Sequence, residues 1–183
     1  MVIGITGTNG AGKGTVVDYL VNTRGFKHHS ARELIFEEVD KQGLPRNRNS
    51  TNLVANELRK IHGPEYVAKT LYERAEEIGG NAVIESIRTI GEAEFLKKKG
   101  AKILGVDAER QKRYERVVLR GEGTDSVTFE EFCIQENREM ASQETWNMNV
   151  FGVMKLADAV VTNDTIRDDL YRQVDNALAE LQQ

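Results

Sequence analysis

Nine residues near the start of the chain constrain its fold more than any others: Gly7-Thr8-Asn9-Gly10-Ala11-Gly12-Lys13-Gly14-Thr15. They follow a short apolar run, Val2–Thr6, and open a stretch of helical period that reaches Arg24, with Gly25 placed to stop it. A strand that turns through glycines into a helix N-terminus builds an anion cradle. Glycines let backbone N–H groups close around phosphate oxygens, the helix dipole points its positive end at the same place, and Lys13 adds a mobile charge. Gly14 stands where the general motif has a hydroxyl residue, and Thr15 follows it. Thr15 is therefore expected on a phosphate, with magnesium held mostly through water.

The remaining pattern alternates strand-length apolar runs with helical stretches, as in an α/β domain with a parallel sheet. Strands are expected at Val2–Thr6, Phe26–His29, Asn81–Ser86, Ala101–Asp107 and Ala159–Thr162. Helices are expected at Thr51–His62, Pro64–Ile78, Glu92–Lys99, Glu109–Arg120, through Met140, at Val150–Leu156 and from Thr165. Ser30-Ala31-Arg32-Glu33 and Thr128-Phe129-Glu130-Glu131 have capping-box spacing. Trp146, Met148, Phe151 and Met154 fit one helical face and read as core, and Cys133 reads as a small buried residue.

The 183 residues suit one domain. With 25 basic and 29 acidic residues the net charge is −4, which disfavours general nucleic-acid binding. One cysteine permits neither an internal disulfide nor a cysteine zinc site. No apolar run of about 18 residues is present, so the expected setting is the cytoplasm, without membrane partners, as a monomer or homodimer.

The loop's Gly-x-x-Gly-x-Gly-Lys-Gly-Thr form resembles that of adenylate kinase and other nucleoside monophosphate kinases. Val83-Ile84-Glu85-Ser86-Ile87-Arg88-Thr89 is similar to their strand-end segment, which carries an acid and then an arginine on the acceptor phosphate. Arg116-Val117-Val118-Leu119-Arg120 resembles the arginine pair opening their lid, and the segment from Ala157 to Asp164 looks like dephospho-CoA kinase. The whole pattern resembles an uncharacterised nucleotide-kinase-like group of archaeal and bacterial proteins. The resemblance implies a five-stranded parallel sheet of order 2-3-1-4-5 within a single P-loop kinase domain. It also implies an acceptor-binding insertion at about 30–78 and a lid at about 109–143. ATP and Mg2+ are the implied cofactors, with transfer to a small nucleotide-type acceptor.

On this reading ATP is bound by Gly7–Thr15, with Asn163 near its purine. Lys13, Arg88, Arg116 and Arg120 act on the phosphates, and Glu85, where the family has Asp, orients hydrated magnesium with Thr15. The lid tip is Gly121–Ser126, and Arg138 is a further lid candidate. Arg88 also stands four residues before Glu92, a spacing that permits an ion pair. The acceptor is assigned to Ser30, Arg32, Arg59 and Arg88, within a region that also carries Arg46, Arg48, Asn52 and Asn56. Phe36 occupies the place of the family's acceptor arginine, with Arg32 one turn earlier.

A nucleoside monophosphate attacks through an ionised oxygen and needs no base, whereas a ribose hydroxyl benefits from one. The acid that dephospho-CoA kinases carry after the second strand is replaced here by His28-His29-Ser30-Ala31. A monophosphate acceptor is therefore favoured, with dephospho-CoA-like transfer and an ATP-binding switch as alternatives.

Overall fold

The computed structural model describes residues 1–120, 128–140 and 144–182, with every side chain in those ranges except that of Arg138. The expected lid tip at Gly121–Ser126 and the side chain of the candidate Arg138 lie outside what is described. In chain order the elements begin with β1 (Val2–Gly7), α1 (Lys13–Arg24), β2 (Lys27–Ser30), α2 (Ala31–Lys41) and α3 (Arg48–His62). There follow α4 (Tyr66–Ile78), β3 (Ala82–Glu85), α5 (Ile90–Lys98), β4 (Lys102–Asp107) and α6 (Arg110–Arg120). The last are α7 (Phe129–Met140), α8 (Val150–Lys155), β5 (Ala159–Thr162) and α9 (Arg167–Leu181).

The five strands form one sheet of order β2-β3-β1-β4-β5, parallel throughout. Helices cover both faces, so the central strands read as unbroken apolar runs. On one face Ile3, Ile5, Val83, Leu104 and Val106 pack against α1 and α9 through Val16, Leu20, Leu170 and Val174. On the other, Ile84 and Ile103 meet α4, α5 and α8 through Val67, Leu71, Leu96 and Val153. Each fully buried aliphatic side chain of this kind contributes about 1.5–3 kcal/mol. A glycine at Gly4 admits that second layer, because a Cβ there would lie 2.9 Å from both Ile103 and Leu96.

The three helices between β2 and β3 divide. Ile35, Val39, Val54 and Ala55 form a small cluster of their own between α2 and α3. By contrast, Val67, Ala68, Leu71 and Tyr72 of α4 belong to the sheet's core. Of the expected insertion at 30–78, then, only the α2–α3 part has a core separate from the sheet.

Capping residues set several boundaries. The Ser30 hydroxyl accepts from the Glu33 backbone N–H at 3.3 Å, and Thr128 and Glu131 form a reciprocal box at 2.8 and 3.2 Å. Helix α3 starts three residues before the expected Thr51 because the Asn47 side chain caps it, accepting from Ser50 at 2.9 Å. Helix α5 begins with a box, Thr89 and Glu92, that the sequence reading passed over. The stripe from Trp146 to Met154 is a correction: residues 144–149 turn before α8, so Phe151 is exposed and Met148 reaches a cavity. Cys133 is half-buried rather than enclosed. Among the described residues no helix is long and apolar enough to cross a membrane.

Candidate active site at the phosphate loop

The loop leaves β1 between β3 and β4, at the carboxyl edge of the sheet where connections diverge to either side, the usual place for a ligand in such sheets. Its backbone demands glycine at two points in particular. A Cβ on Gly7, at φ 141°, would lie 2.0 Å from the Val106 carbonyl oxygen. One on Gly12, at φ 97°, would lie 2.1 Å from the Asn163 amide nitrogen. Strand β4 and the loop after β5 thus approach the loop backbone to contact distance.

Three groups brace it from that side. The Thr8 hydroxyl donates to Asp107 Oδ1 at 2.9 Å, and the Asn163 side-chain amide donates to the Ala11 carbonyl at 2.9 Å. Arg113, buried, donates to the carbonyls of Ala108 at 2.8 Å and Asn9 at 3.4 Å and pairs with Glu136. Asn163, expected near a purine, thus sits against the loop, with its amide holding the loop's shape. The Asp107 contact was not anticipated; an acid ending a strand was its only signal.

Within the loop, Lys13 Nζ donates to the carbonyls of Gly7 at 3.1 Å and Thr8 at 2.7 Å. Burial, reinforced by the neighbouring Arg88 charge, holds its pKa well below the ordinary lysine range. A phosphate arriving there meets an ammonium that gains from a new anion. Arg88 Nη1 also donates to the Gly7 carbonyl, at 3.3 Å, and burial pushes its pKa down as well.

The turn that presents Arg88 is tightly determined. Ser86 has a left-handed backbone, φ 70°, unusual for a residue with a Cβ. Glu92 then accepts the backbone N–H groups of Arg88 at 2.8 Å and Thr89 at 3.1 Å, and its other oxygen takes Arg59 Nε at 2.8 Å. Glu92 and Arg59 are only 1% and 3% exposed. The pairing that spacing allowed between Arg88 and Glu92 is thus made through the Arg88 backbone, and the guanidinium belongs to Arg59. Arg59, assigned to the acceptor by the sequence, lines the neighbouring cavity while its Nε is held by a buried carboxylate.

Glu85 ends β3 beside the loop, opposite Ile5 of β1. His28 Nε2 lies 3.0 Å from its Oε2, and this hydrogen bond holds the Glu85 carboxyl below and the His28 imidazole above their usual ranges. An ionised carboxylate at this point and the Thr15 hydroxyl in the first turn of α1 are hard oxygen donors. They fit Mg2+, which keeps several waters and takes few protein ligands.

A cavity of about 370 Å³ opens from the loop toward α2 and α3. Asn9, Ser86 and Arg88 form its end nearest the loop, and Ile35, Phe36, Ala55 and Met148 supply apolar wall. Arg32, Arg46, Arg48, Arg59 and Arg120 also line it, with Thr51, Asn52 and, as the single carboxylate among the described residues, Glu139. Arg46 pairs with Asp40 and lies over the Phe36 ring, 5.0 Å from its centre.

Three expectations change here. Ser30 does not line this cavity; its hydroxyl is spent on the α2 cap. Arg116 does not line the cavity; it donates to the carbonyls of Gly10 at 3.4 Å and Asn163 at 2.7 Å. Arg120 alone of the lid pair lines the cavity. Asn56, expected with Asn52, is not a lining residue, and its Oδ1 is enclosed without a partner among the described residues.

The order of strands and the loop's place in it are those of the P-loop kinase fold. A shikimate kinase from Acinetobacter baumannii, in complex with shikimate, superposes with a TM-score of 0.61 at 14% identity, covering 98% of this chain and 93% of that one. A dephospho-CoA kinase from Campylobacter jejuni gives 0.53 at 15% identity, covering 98% and 96%. A UPF0200 protein of Methanococcus vannielii is 30% identical over 98% of this chain and 96% of its own length. The family model described as an AAA domain matches residues 3–146. By that match the chain belongs to the AAA domain family, and by that relative it belongs with the UPF0200 proteins.

Proposed function

We propose that the chain transfers the γ-phosphoryl group of Mg–ATP to a nucleoside or deoxynucleoside monophosphate. The observation that carries this reading is the cavity itself: it begins at the loop and Arg88, and its charged lining is almost entirely arginine. Phosphoryl transfer asks the protein for positioning, charge neutralisation and exclusion of water, with little covalent work. The loop from Gly7 to Thr15 holds the donor phosphates, and Lys13 exchanges the carbonyls of Gly7 and Thr8 for phosphate oxygens. Arg88 stands between loop and cavity and bridges donor and acceptor; Arg32 and Arg120 add charge on the acceptor side. Phe36, Ile35 and Met148 offer apolar contact to a base, and Asn52 and Thr51 polar contact to its edge. Glu85 and Thr15 hold hydrated Mg2+, which when bound neutralises charge on the transferring group.

A second reading, transfer to a hydroxyl as in a dephospho-CoA kinase, draws on the hydrogen-bonded His28–Glu85 pair, a ready base. His28, however, lines a separate cavity of about 290 Å³ on the other side of α2. A monophosphate needs no base, which suits the arginine-lined cavity better.

The test is ADP release from Mg–ATP against a panel of ribo- and deoxyribonucleoside monophosphates and dephospho-CoA. Stimulation by a monophosphate is the expected result and names the acceptor. Stimulation by dephospho-CoA alone moves the assignment to the His28–Glu85 side. Slow hydrolysis indifferent to every acceptor supports an ATP-dependent switch instead.

A further inference from the structure

Arg48, the first residue of α3, reaches across to α7. Its Nη1 donates to Gln135 Oε1 at 3.3 Å and its Nη2 pairs with the Glu139 carboxylate. Gln135 and Glu139 are one helical turn apart, so one guanidinium fork grips one face of α7 at two points. The ion pair is largely enclosed, with Arg48 at 27% and Glu139 at 16% exposure. Both partners line the acceptor cavity, and Glu139 is the only acidic side chain among its described lining residues. The Glu139 carboxylate takes one N–H arm of the guanidinium, a charge-assisted contact that a phosphate oxygen would make in its place, while the other arm goes to Gln135. The pair also joins two parts of the molecule with different duties. Helix α3 belongs to the α2–α3 cluster beside the cavity, while α7 follows the lid arginines of α6.

We propose that Glu139 is an internal stand-in for the acceptor phosphate, and that the acceptor enters by displacing it from Arg48. This rests on the acceptor assignment above and adds its regulation. While Glu139 holds Arg48, the cavity's arginines are partly neutralised and α7 is fastened to α3. An arriving phosphate takes Arg48, and α7 is released at the same moment, so acceptor binding and lid position become one equilibrium. Glu139 is a positioning residue on this account, since it acts through Arg48.

The chain carries its own reporter. Trp146, its only tryptophan, follows α7 closely and sits with Lys60 Nζ of α3 5.7 Å from its ring centre. Inorganic phosphate and each nucleoside monophosphate are titrated into the full chain saturated with Mg2+ and a non-hydrolysable ATP analogue, reading Trp146 emission and heat of binding. Glu139→Gln keeps the shape and removes the competing charge, so Kd for inorganic phosphate is expected to fall about five- to tenfold. Glu139→Asp, with a shorter reach, gives an intermediate fall and serves if the glutamine variant misfolds. Arg48→Ala raises Kd, and adding Glu139→Gln to it changes nothing further.

A Glu139→Gln protein whose Kd is unchanged or higher overturns the inference, as does failure of phosphate to bind any form. A pair that only stabilises the fold lowers the melting temperature on substitution and leaves Kd alone. The ADP-release panel, run on the same proteins, keeps the two ideas apart. Tighter phosphate binding without monophosphate turnover sinks the proposed reaction and leaves the stand-in intact, while turnover with unaltered Kd does the reverse.

Discussion

Lys13 donates to the carbonyls of its own loop, Gly7 and Thr8, and so the group proposed to meet phosphate also shapes the loop before any ligand arrives. Lys13→Ala is expected to abolish transfer while circular dichroism and cooperative unfolding persist; a folded variant with residual activity near wild type would remove the lysine from the mechanism. Arg88→Ala acts on the other substrate. Acceptor KM should rise tenfold or more, because a bidentate charged contact is worth about 1.5–3 kcal/mol. Unchanged acceptor kinetics would exclude Arg88 from the site. His29 supplies a pH test away from the chemistry. It is 7% exposed, its Nε2 lacks a partner among the described residues, and burial lowers its pKa from the ordinary value of 6.5. The unfolded chain therefore binds this proton more readily, so the His29 contribution is complete above pH 6.5 and falls as pH drops through the lower folded value. The melting-temperature advantage of wild type over His29→Gln should shrink between about pH 7.5 and 5.5. At this scale the loop was legible because all its determinants lie within nine consecutive residues. The Ser30 cap was legible from its spacing to Glu33, whereas the Arg59 pairing was not, because its partner, the Glu92 carboxylate 33 residues away, is fixed only by the fold.

Elements were legible wherever a cap or an apolar run announced them. Strand β5 falls where expected, and the Thr128–Glu131 box forms as its spacing implies. Helix α3 extended past expectation because Asn47, within a turn-rich stretch, is a better cap than Asn49 or Ser50 can be from inside the first turn. The start of α5 shows how much one side chain can organise. Glu92 closes the capping box with Thr89, holds the Arg88 turn and neutralises Arg59. Glu92→Ala should cost about 3–5 kcal/mol, since it strands a buried guanidinium. Urea unfolding will read the loss. Replacing both partners, as Arg59→Met with Glu92→Leu, should recover much of it, and equal losses in the single and double variants would argue against the ion pair as the cause.

Across the whole molecule, strand alternation and the glycine loop specified the layered α/β architecture, and the kinase resemblance supplied the order in which the strands lie. The cavity was far less legible, for a reason of geometry. Its walls come from the loop, from β3's end, from α2, α3, α6 and α7, and from Met148, so its composition depends on side chains more than 100 residues apart. No local pattern reveals that Glu139 meets Arg48 or that Arg116 is held by the Gly10 and Asn163 carbonyls while Arg120 lines the cavity.

The sheet's register also sets a timetable. Strand β1 pairs with Ala82–Glu85 on one side and Lys102–Val106 on the other, and its loop is clasped by Asn163. The face of β1 toward α1 is covered by α1 itself and by Leu170, Val174 and Leu178 of α9. On a ribosome, then, the phosphate cradle is among the first pieces made and among the last completed, and most of the chain must emerge before its earliest strand is enclosed. Stalled nascent chains should gain ATP-dependent protection from protease only after α9 has left the exit tunnel, and protection of chains ending at Asp158 would contradict this. For a growing polypeptide, the nucleotide can act as a late inspector of completeness, gripping only those copies whose final helix has come home.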